Sequence, residues 1–143
     1  MNNGNKCPVI GLGTFMIAPA DAEASVREAL KMGYACVDTA NERAVGRGIR
    51  ESGVPREKIF LSTKLWASEY ENERAVDETL ERLGVDHVDL LYIHQPAGNW
   101  LAGYRQLEKA YRDGKARAIG ISNFEGKYLA ELETKWEIVP QFM

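Results

Sequence analysis

The stretch that decides the fold is residues 59–94, IFLSTKLWASEYENERAVDETLERLGVDHVDLLYIH. Its two ends, residues 59–66 and 88–94, are short apolar runs rich in β-branched and aromatic side chains, a composition typical of strands. Between them, mostly apolar side chains recur at the spacing of one helix face: Ala75, Val76, Thr79, Leu80 and Leu83. The stretch therefore predicts one strand–helix–strand unit.

The same alternation continues on both sides of this unit. Further strand-like runs are residues 9–15, 35–39 and 116–122, and a sixth begins at Ile138. The runs are almost continuously apolar, which is typical of strands buried on both faces of a parallel sheet. Helical patterns separate them, and the connections are too short for a linker between domains. The order predicts an α/β fold with right-handed crossovers, in a single domain that spans residues 1–143.

The spacing of polar residues at the strand ends favours a barrel over an open sheet. Asp38, Lys64, His94 and Ser122 follow one another at intervals of 26 to 30 residues. Units of this size are typical of a (β/α)8 TIM barrel of about 250 residues, so this chain would hold about five βα units and the start of strand six. The alternative is a doubly wound open sheet, but residues 11–16, GLGTFM, lack the third glycine of its dinucleotide-binding fingerprint.

Composition excludes several classes of protein. The chain has 143 residues, of which 45% are hydrophobic, and this is enough for a single core. Its net charge is −3 without a basic cluster, so nucleic acid is not an expected partner. No apolar run reaches the ~18–20 residues of a membrane span, and the N-terminus lacks a secretory signal, so a cytoplasmic location is predicted. Cys7 and Cys36 have no CxxC spacing and no nearby His pair, so no metal site is predicted.

Three of the strand-end residues form a candidate catalytic group. The C-terminal ends of parallel barrel strands meet at one rim, so Asp38, Lys64 and His94 are expected to lie close together. A carboxylate keeps a neighbouring ammonium charged and oriented, and such a pair can tune the acidity of a proton donor. Taken singly, each residue would more often be a cap, a surface charge or a packed core side chain. Trp66, just after Lys64, is a candidate pocket wall.

Five short motifs resemble those of the aldo-keto reductases. They are IGLGTF (10–15), VDTA (37–40), STKLW (62–66), YIHQP (92–96) and IGISNF (119–124). They occur in the family's order and with nearly its spacing, over almost the whole chain. The likeness is to the bacterial branch that includes the 2,5-diketo-gluconate reductases. By this resemblance, the chain is the N-terminal part of an aldo-keto reductase barrel.

The resemblance implies an NAD(P)H-dependent carbonyl reductase. The cofactor would be NADPH, with NADH as the alternative, and the substrate a small aldehyde, ketone or sugar-type carbonyl compound. Asp38 and Lys64 would lower the pKa of a tyrosine proton donor, and His94 would orient and polarise the carbonyl. Ser122 and Asn123 would hold the nicotinamide carboxamide, whereas Thr14 and Asp38 would approach the nicotinamide ribose.

The sequence departs from the family pattern at two places. In the family, the catalytic tyrosine lies on a short segment after Asp-Thr-Ala, but here Asn41 follows Ala40 directly, so that segment is missing. Tyr92 is not a substitute in this interpretation, because it lies inside the strand before His94 and is expected one layer lower in the barrel. The sequence also stops at Met143, before the strands that carry the family's remaining cofactor contacts.

Two hypotheses explain these departures. In the first, the protein is an ordinary aldo-keto reductase, a monomer or weak oligomer, whose tyrosine loop and C-terminal third are not represented in this sequence. The Cα atoms of Ala40 and Asn41 would then lie well beyond the ~3.8 Å of a trans peptide. In the second, a truncated, non-catalytic chain acts as a binding or assembly module and forms a homodimer that closes its open edges. A third, unrelated hypothesis is a barrel lyase or isomerase with Lys64 as a Schiff-base amine.

Overall fold

Five short parallel strands form one sheet in chain order in the computed structural model, which describes residues 1–143. Each strand pairs in parallel with the next one along the chain. The strands are β1 (Leu12–Gly13), β2 (Cys36–Asp38), β3 (Phe60–Leu65), β4 (Leu90–Ile93) and β5 (Ile119–Ile121). A doubly wound sheet reverses its strand order, whereas this one does not, so the sheet is part of a barrel wall.

Five helices alternate with the strands, as the sequence predicts. They are α1 (Pro19–Lys31), α2 (Glu42–Ser52), α3 (Ala75–Leu83), α4 (Trp100–Arg112) and α5 (Lys127–Glu133). Two turns of 3-10 helix, Arg56–Lys58 and Ala67–Glu69, flank β3. None of the helices is long and apolar enough to cross a membrane.

Side chains alternate between the two faces of each strand, and the core lies on the helix side. Leu61, Leu91 and Ile119 are fully buried there, together with Val26 of α1 and Leu107 of α4. The intervening side chains face the barrel interior because successive strand residues point to opposite faces. The polar residues of the strands therefore collect on the inner face, where they can form a site.

Two glycines let α2 lie directly against its neighbours. A Cβ atom at Gly46 would stand 2.2 Å from the carbonyl oxygen of Leu83, and one at Gly48 would stand 2.6 Å from that of Glu23. Real Cβ contacts are never this short, so the backbone of α2 touches the end of α3 and the first half of α1. This contact fixes the helix that follows β2, and hence the position of the β2 end.

The start of the barrel is less regular than the sequence predicts. Strand β1 contains only Leu12–Gly13, and Val9 and Ile10 are exposed rather than paired. The sixth strand does not begin at Ile138 but further on, where Phe142 bridges Gly120 in parallel. Both ends of the sheet thus pair over fewer residues than the apolar runs indicate.

The chain is continuous between Ala40 and Asn41, so the predicted separation of their Cα atoms was wrong. Strand β2 ends at Asp38 and α2 begins at Glu42, which leaves three residues rather than none to reverse the chain. The amide of Ala40 donates to Thr14 Oγ1 at 2.9 Å, and Asn41 Nδ2 donates to the carbonyl oxygen of Ile17 at 2.8 Å. The β1–α1 loop holds this short connection in place.

We expect these 143 residues, expressed alone, to self-associate. Strand β1 has one unpaired edge, and the apolar side chains of Val9, Ile10 and Phe15 are largely exposed beside it. An unpaired edge with exposed apolar surface pairs readily with another chain. A dimer that covers it should bury more than ~1,000 Å² in total. Light scattering at micromolar concentration measures this, and a stable, monodisperse monomer would contradict it.

Candidate active site

Four polar side chains form a closed hydrogen-bonded group on the inner face of the sheet. The ammonium of Lys64 donates to Asp38 Oδ2 at 2.8 Å and to the hydroxyl of Tyr92 at 3.0 Å. The Tyr92 hydroxyl donates to Asp38 Oδ1 at 3.0 Å, and the Ser62 hydroxyl donates to the same oxygen at 2.6 Å. The sequence therefore placed Asp38 and Lys64 together correctly, and the structure adds Ser62 and Tyr92.

The charge of Lys64 is buried, with only 5% of the side chain exposed. A buried ammonium is stable only when it is paired and hydrogen-bonded, and Asp38 supplies the opposite charge. Because 34% of the Asp38 side chain is exposed, the pair is partly screened by solvent, and removal of one partner should cost less than the about 3–5 kcal/mol typical of fully buried pairs. An amine held this way is not free to attack a carbonyl, so the structure gives no support to a Schiff-base role for Lys64.

Tyr92 keeps its proton in this environment. Burial of the phenol raises the pKa of Tyr92, and the negative charge of Asp38 raises it further. Both effects disfavour the phenolate, because it would be a second anion in a poorly solvated place. The phenol is therefore a stable hydrogen-bond donor to Asp38.

The sequence interpretation excludes Tyr92 as a substitute proton donor and expects it one layer below His94; the structure adds that this is the layer of Lys64. Tyr92 of β4 lies opposite Lys64 of β3 in the parallel register, so both side chains enter the interior at one level. The phenol is long enough to cross β3 and reach Asp38 on β2. A period-two pattern, in which Ser62 precedes Lys64 and Tyr92 precedes His94 on the same face, was the sequence signal for both added residues.

His94 follows β4 and stacks on Trp66, which follows β3. The two ring centroids are 4.4 Å apart and the planes are tilted by 52°. Nδ1 of His94 is buried and has no hydrogen-bond partner. Burial lowers the pKa of His94, and the nearby positive charge of Lys64 lowers it further. The imidazole is therefore neutral at neutral pH, with Trp66 as its wall.

A buried tyrosine fixes the backbone that follows His94. Tyr70, which is 1% exposed, donates to the carbonyl oxygen of Gln95 at 2.8 Å and accepts from the Gln95 amide at 3.1 Å. Gly103 of α4 leaves room for its ring, because a Cβ atom there would stand 2.6 Å from it. Gln106 of α4 donates to the carbonyl oxygen of Tyr70 at 2.7 Å. Helix α4 thereby anchors the β4–α4 connection on which His94 lies.

Ser122 and Asn123 lie at the end of β5, at the same rim as His94. Asn123 is exposed and has a φ of 61°, a left-handed conformation that costs energy in a residue other than glycine and often marks functional sites. Its amide nitrogen donates to the carbonyl oxygen of His94 at 2.7 Å and to Ser122 Oγ at 3.0 Å. The ends of β4 and β5 are linked through this side chain.

Thr14 does not present a free hydroxyl at this rim, and its contact with the nicotinamide ribose stays a prediction. The residue is fully buried. Its hydroxyl donates to the carbonyl oxygen of Asp38 at 3.3 Å and accepts from the amide of Ala40 at 2.9 Å. Thr14 therefore holds the end of β2, and with it the backbone of Asp38.

The inner face of the sheet borders an open cleft of about 510 Å³. Its polar wall contains Asp38, Ser62, Tyr92, Ser122 and Asn123. No three His, Cys, Asp or Glu side chains are placed to hold a metal ion. A neutral imidazole beside a buried ammonium–carboxylate pair is suited to polarising a carbonyl and assisting a proton transfer.

Comparison with known proteins gives one consistent family. The model of the "Aldo/keto reductase family" matches residues 9–142. Glyoxal reductase of Bacillus subtilis is 44% identical over an alignment of 149 positions. The alignment includes 98% of this chain and 54% of the relative. The chain spans about half the length of the curated relatives it matches.

Solved structures agree with the sequence matches. An aldo/keto reductase from Brucella melitensis superposes with a TM-score of 0.90 at 39% identity, over 97% of this chain and 58% of that one. An aldo-keto reductase of Bombyx mori in complex with NADP superposes with a TM-score of 0.87 at 31% identity, over 97% of this chain and 54% of that one. The partial barrel therefore has the fold of somewhat more than half of each of these proteins.

We expect His94 to titrate below the usual histidine pKa of about 6.5. In Lys64→Met, the pKa of His94 should rise, because the repelling charge is gone and Asp38 is left unpaired; Lys109→Met, at an exposed site, is the control. The folded state disfavours protonated His94. The free energy of unfolding should therefore decrease as the pH falls below about 6.5, the pKa of histidine in the unfolded chain. NMR can follow the titration, since the chain has only two histidines. A pKa of 6.5 or above in the unsubstituted chain would contradict the assigned environment.

Proposed function

The chain belongs to the aldo/keto reductase family, and on that premise we propose that it is the catalytic half of a carbonyl reductase. The substrate is a small aldehyde, ketone or sugar-type carbonyl compound. The observation that supports this most is the hydrogen-bonded Asp38–Lys64 pair beside a neutral His94 at one rim of the barrel. These groups match the chemistry of carbonyl polarisation and proton transfer.

His94 and Trp66 orient the substrate in this proposal. A neutral imidazole donates one hydrogen bond, and its donation to a carbonyl oxygen withdraws electron density from the carbon. Trp66 packs on the same ring and provides an apolar wall for the rest of the substrate. Asp38 holds Lys64, and the ammonium of Lys64 favours the anionic state of the proton donor.

Ser122 and Asn123 are the residues that fit a nicotinamide cofactor. Asn123 is exposed at the rim in a strained backbone conformation, and its side chain lies beside His94. The hydroxyl of Thr14 already bonds the backbone of Asp38 and Ala40, and the contact of Thr14 with the nicotinamide ribose stays a prediction. When bound, the cofactor supplies the hydride. The Bombyx mori neighbour with NADP supports NADPH over NADH as the cofactor.

In our proposal, the tyrosine proton donor of the family has no counterpart among these 143 residues. The β2–α2 connection has only three residues, and none of them is a tyrosine. The alignment with glyoxal reductase of Bacillus subtilis runs over 149 positions, more than the 143 residues of the chain, so that relative has residues without a counterpart here. The short connection also favours the second candidate, a non-catalytic binding or assembly module.

The remaining assignments stay predictions. A cytoplasmic location, the 2,5-diketo-gluconate reductase-like branch and the weak oligomerisation of a complete barrel rest on the family resemblance. Nucleic acid and membranes are not partners in this proposal, because the chain is acidic overall and its helices are short.

The 143-residue chain alone should reduce carbonyl compounds at a negligible rate. General acid catalysis contributes about 10²–10⁴-fold, and the chain lacks the loop tyrosine that would provide it. The measurement is the steady-state oxidation of NADPH with a simple aldehyde, on protein whose mass is verified. Turnover at an ordinary family rate would show that another group in this chain donates the proton.

In a chain that carries these residues, the tyrosine segment and the remaining strands, Lys64→Met should lower kcat by about 10²-fold or more while cofactor affinity stays within error. Lys64 is assigned to the proton donor and makes no contact with Ser122 or Asn123, so binding should be spared. Lys109→Met is the matched control. If Lys64→Met instead abolished NADPH binding and spared kcat, the assignment of roles would be wrong.

A further inference from the structure

Tyr92 is the first residue of the YIHQP motif, but the proposed mechanism gives it no role. We propose that Tyr92 is a positioning residue, whose hydroxyl fixes the ammonium of Lys64 against Asp38. Its relevance to catalysis rests on the proposed function, but the contact itself does not. The inference follows from the hydrogen bonds of Lys64, from those of Asp38 and from the register of the two strands.

Lys64 needs a second acceptor because its ammonium is almost completely buried. The group carries three N–H bonds, and Asp38 Oδ2 and the Tyr92 hydroxyl each accept one of them. With Asp38 alone, the flexible lysine side chain could pivot about a single contact. Two acceptors on different strands, β2 and β4, define where Nζ lies.

Tyr92 also connects the two charged groups directly. Its hydroxyl accepts from Lys64 and donates to Asp38 Oδ1, so the three side chains form a closed triangle of hydrogen bonds. The Lys64 nitrogen lies 5.4 Å from the centre of the Tyr92 ring, within the range of a cation–π attraction. Since Lys64 and Tyr92 are opposite each other in the β3–β4 register, the sheet itself maintains the contact.

The phenol is held in a way that suits positioning rather than proton donation. Its proton is directed at Asp38, and burial and the charge of Asp38 both raise the pKa of Tyr92, so the proton stays on the oxygen. What Tyr92 can do is to keep one N–H of Lys64 occupied. The third N–H then remains for the group that transfers the proton to the substrate.

The test is the rate at which Lys64 is acetylated by an N-hydroxysuccinimide ester in the 143-residue chain. Acetylation is quantified by mass spectrometry of the peptide containing Lys64 and normalised to the exposed Lys109 in the same sample. In Tyr92→Phe, the ammonium loses one of its two acceptors, so Lys64 should react about tenfold faster. An unchanged rate would overturn the proposal.

Tyr104→Phe is the matched control. Tyr104 is a fully buried phenol on α4 that donates to the carbonyl oxygen of Ile138 at 2.7 Å, so its loss also removes one buried hydrogen bond. The rate at Lys64 should not change in this variant. An equal increase in both variants would mean that general loosening, and not the Tyr92 contact, exposes Lys64.

A measurement on the unsubstituted chain covers the case in which Tyr92→Phe does not fold. In NMR spectra, the Lys64 ammonium should show cross-relaxation with the ring protons of Tyr92; its absence under conditions where the ammonium signal is visible would refute the contact. Neither measurement uses cofactor or substrate. A failure of the reductase proposal would therefore leave these results unaffected, and a negative result here would leave the assignments of His94 and Asp38 standing.

Discussion

The candidate site depends on one buried charge, the ammonium of Lys64. A lysine in the interior of a barrel is unfavourable unless other groups compensate its charge and its hydrogen-bond donors. Asp38 and Tyr92 do this from the strands on either side, and Ser62 holds the carboxylate. The inner faces of β2, β3 and β4 are therefore polar where these side chains meet and cannot pack there as an ordinary apolar layer.

The same charge determines the state of its neighbour. His94 is kept neutral partly because Lys64 is charged, and Trp66 covers the imidazole. The rest of the structure serves to fix these groups. Thr14 holds the end of β2, and Tyr70 holds the residue after His94. Electrostatics thus decides the protonation of the site, whereas hydrogen bonds to the backbone decide its geometry.

The fold was predictable because βα units repeat in the sequence, and Asp38, Lys64 and His94 were predictable because each follows an apolar strand. Tyr92 was missed because it lies within a strand. Only the pairing register of β3 and β4 shows that its phenol can reach past β3 to Asp38 on β2. The role of Thr14 could not be inferred either, since a hydroxyl near a site gives no sign of which group it bonds. The continuity at Ala40–Asn41 was mispredicted because the strand was taken to run past its observed end at Asp38, which left too few residues for the turn.

The three-residue connection after β2 has a thermodynamic consequence. Its ends are fixed independently of its length, by β2 on one side and by the close packing of α2 through Gly46 and Gly48 on the other. Loop-closure entropy grows only with the logarithm of length, so extending this turn by a few residues would cost under about 1 kcal/mol. The stability of the barrel therefore depends little on the length of this turn. A chain of this fold can gain or lose a catalytic segment here with little change in its free energy of unfolding.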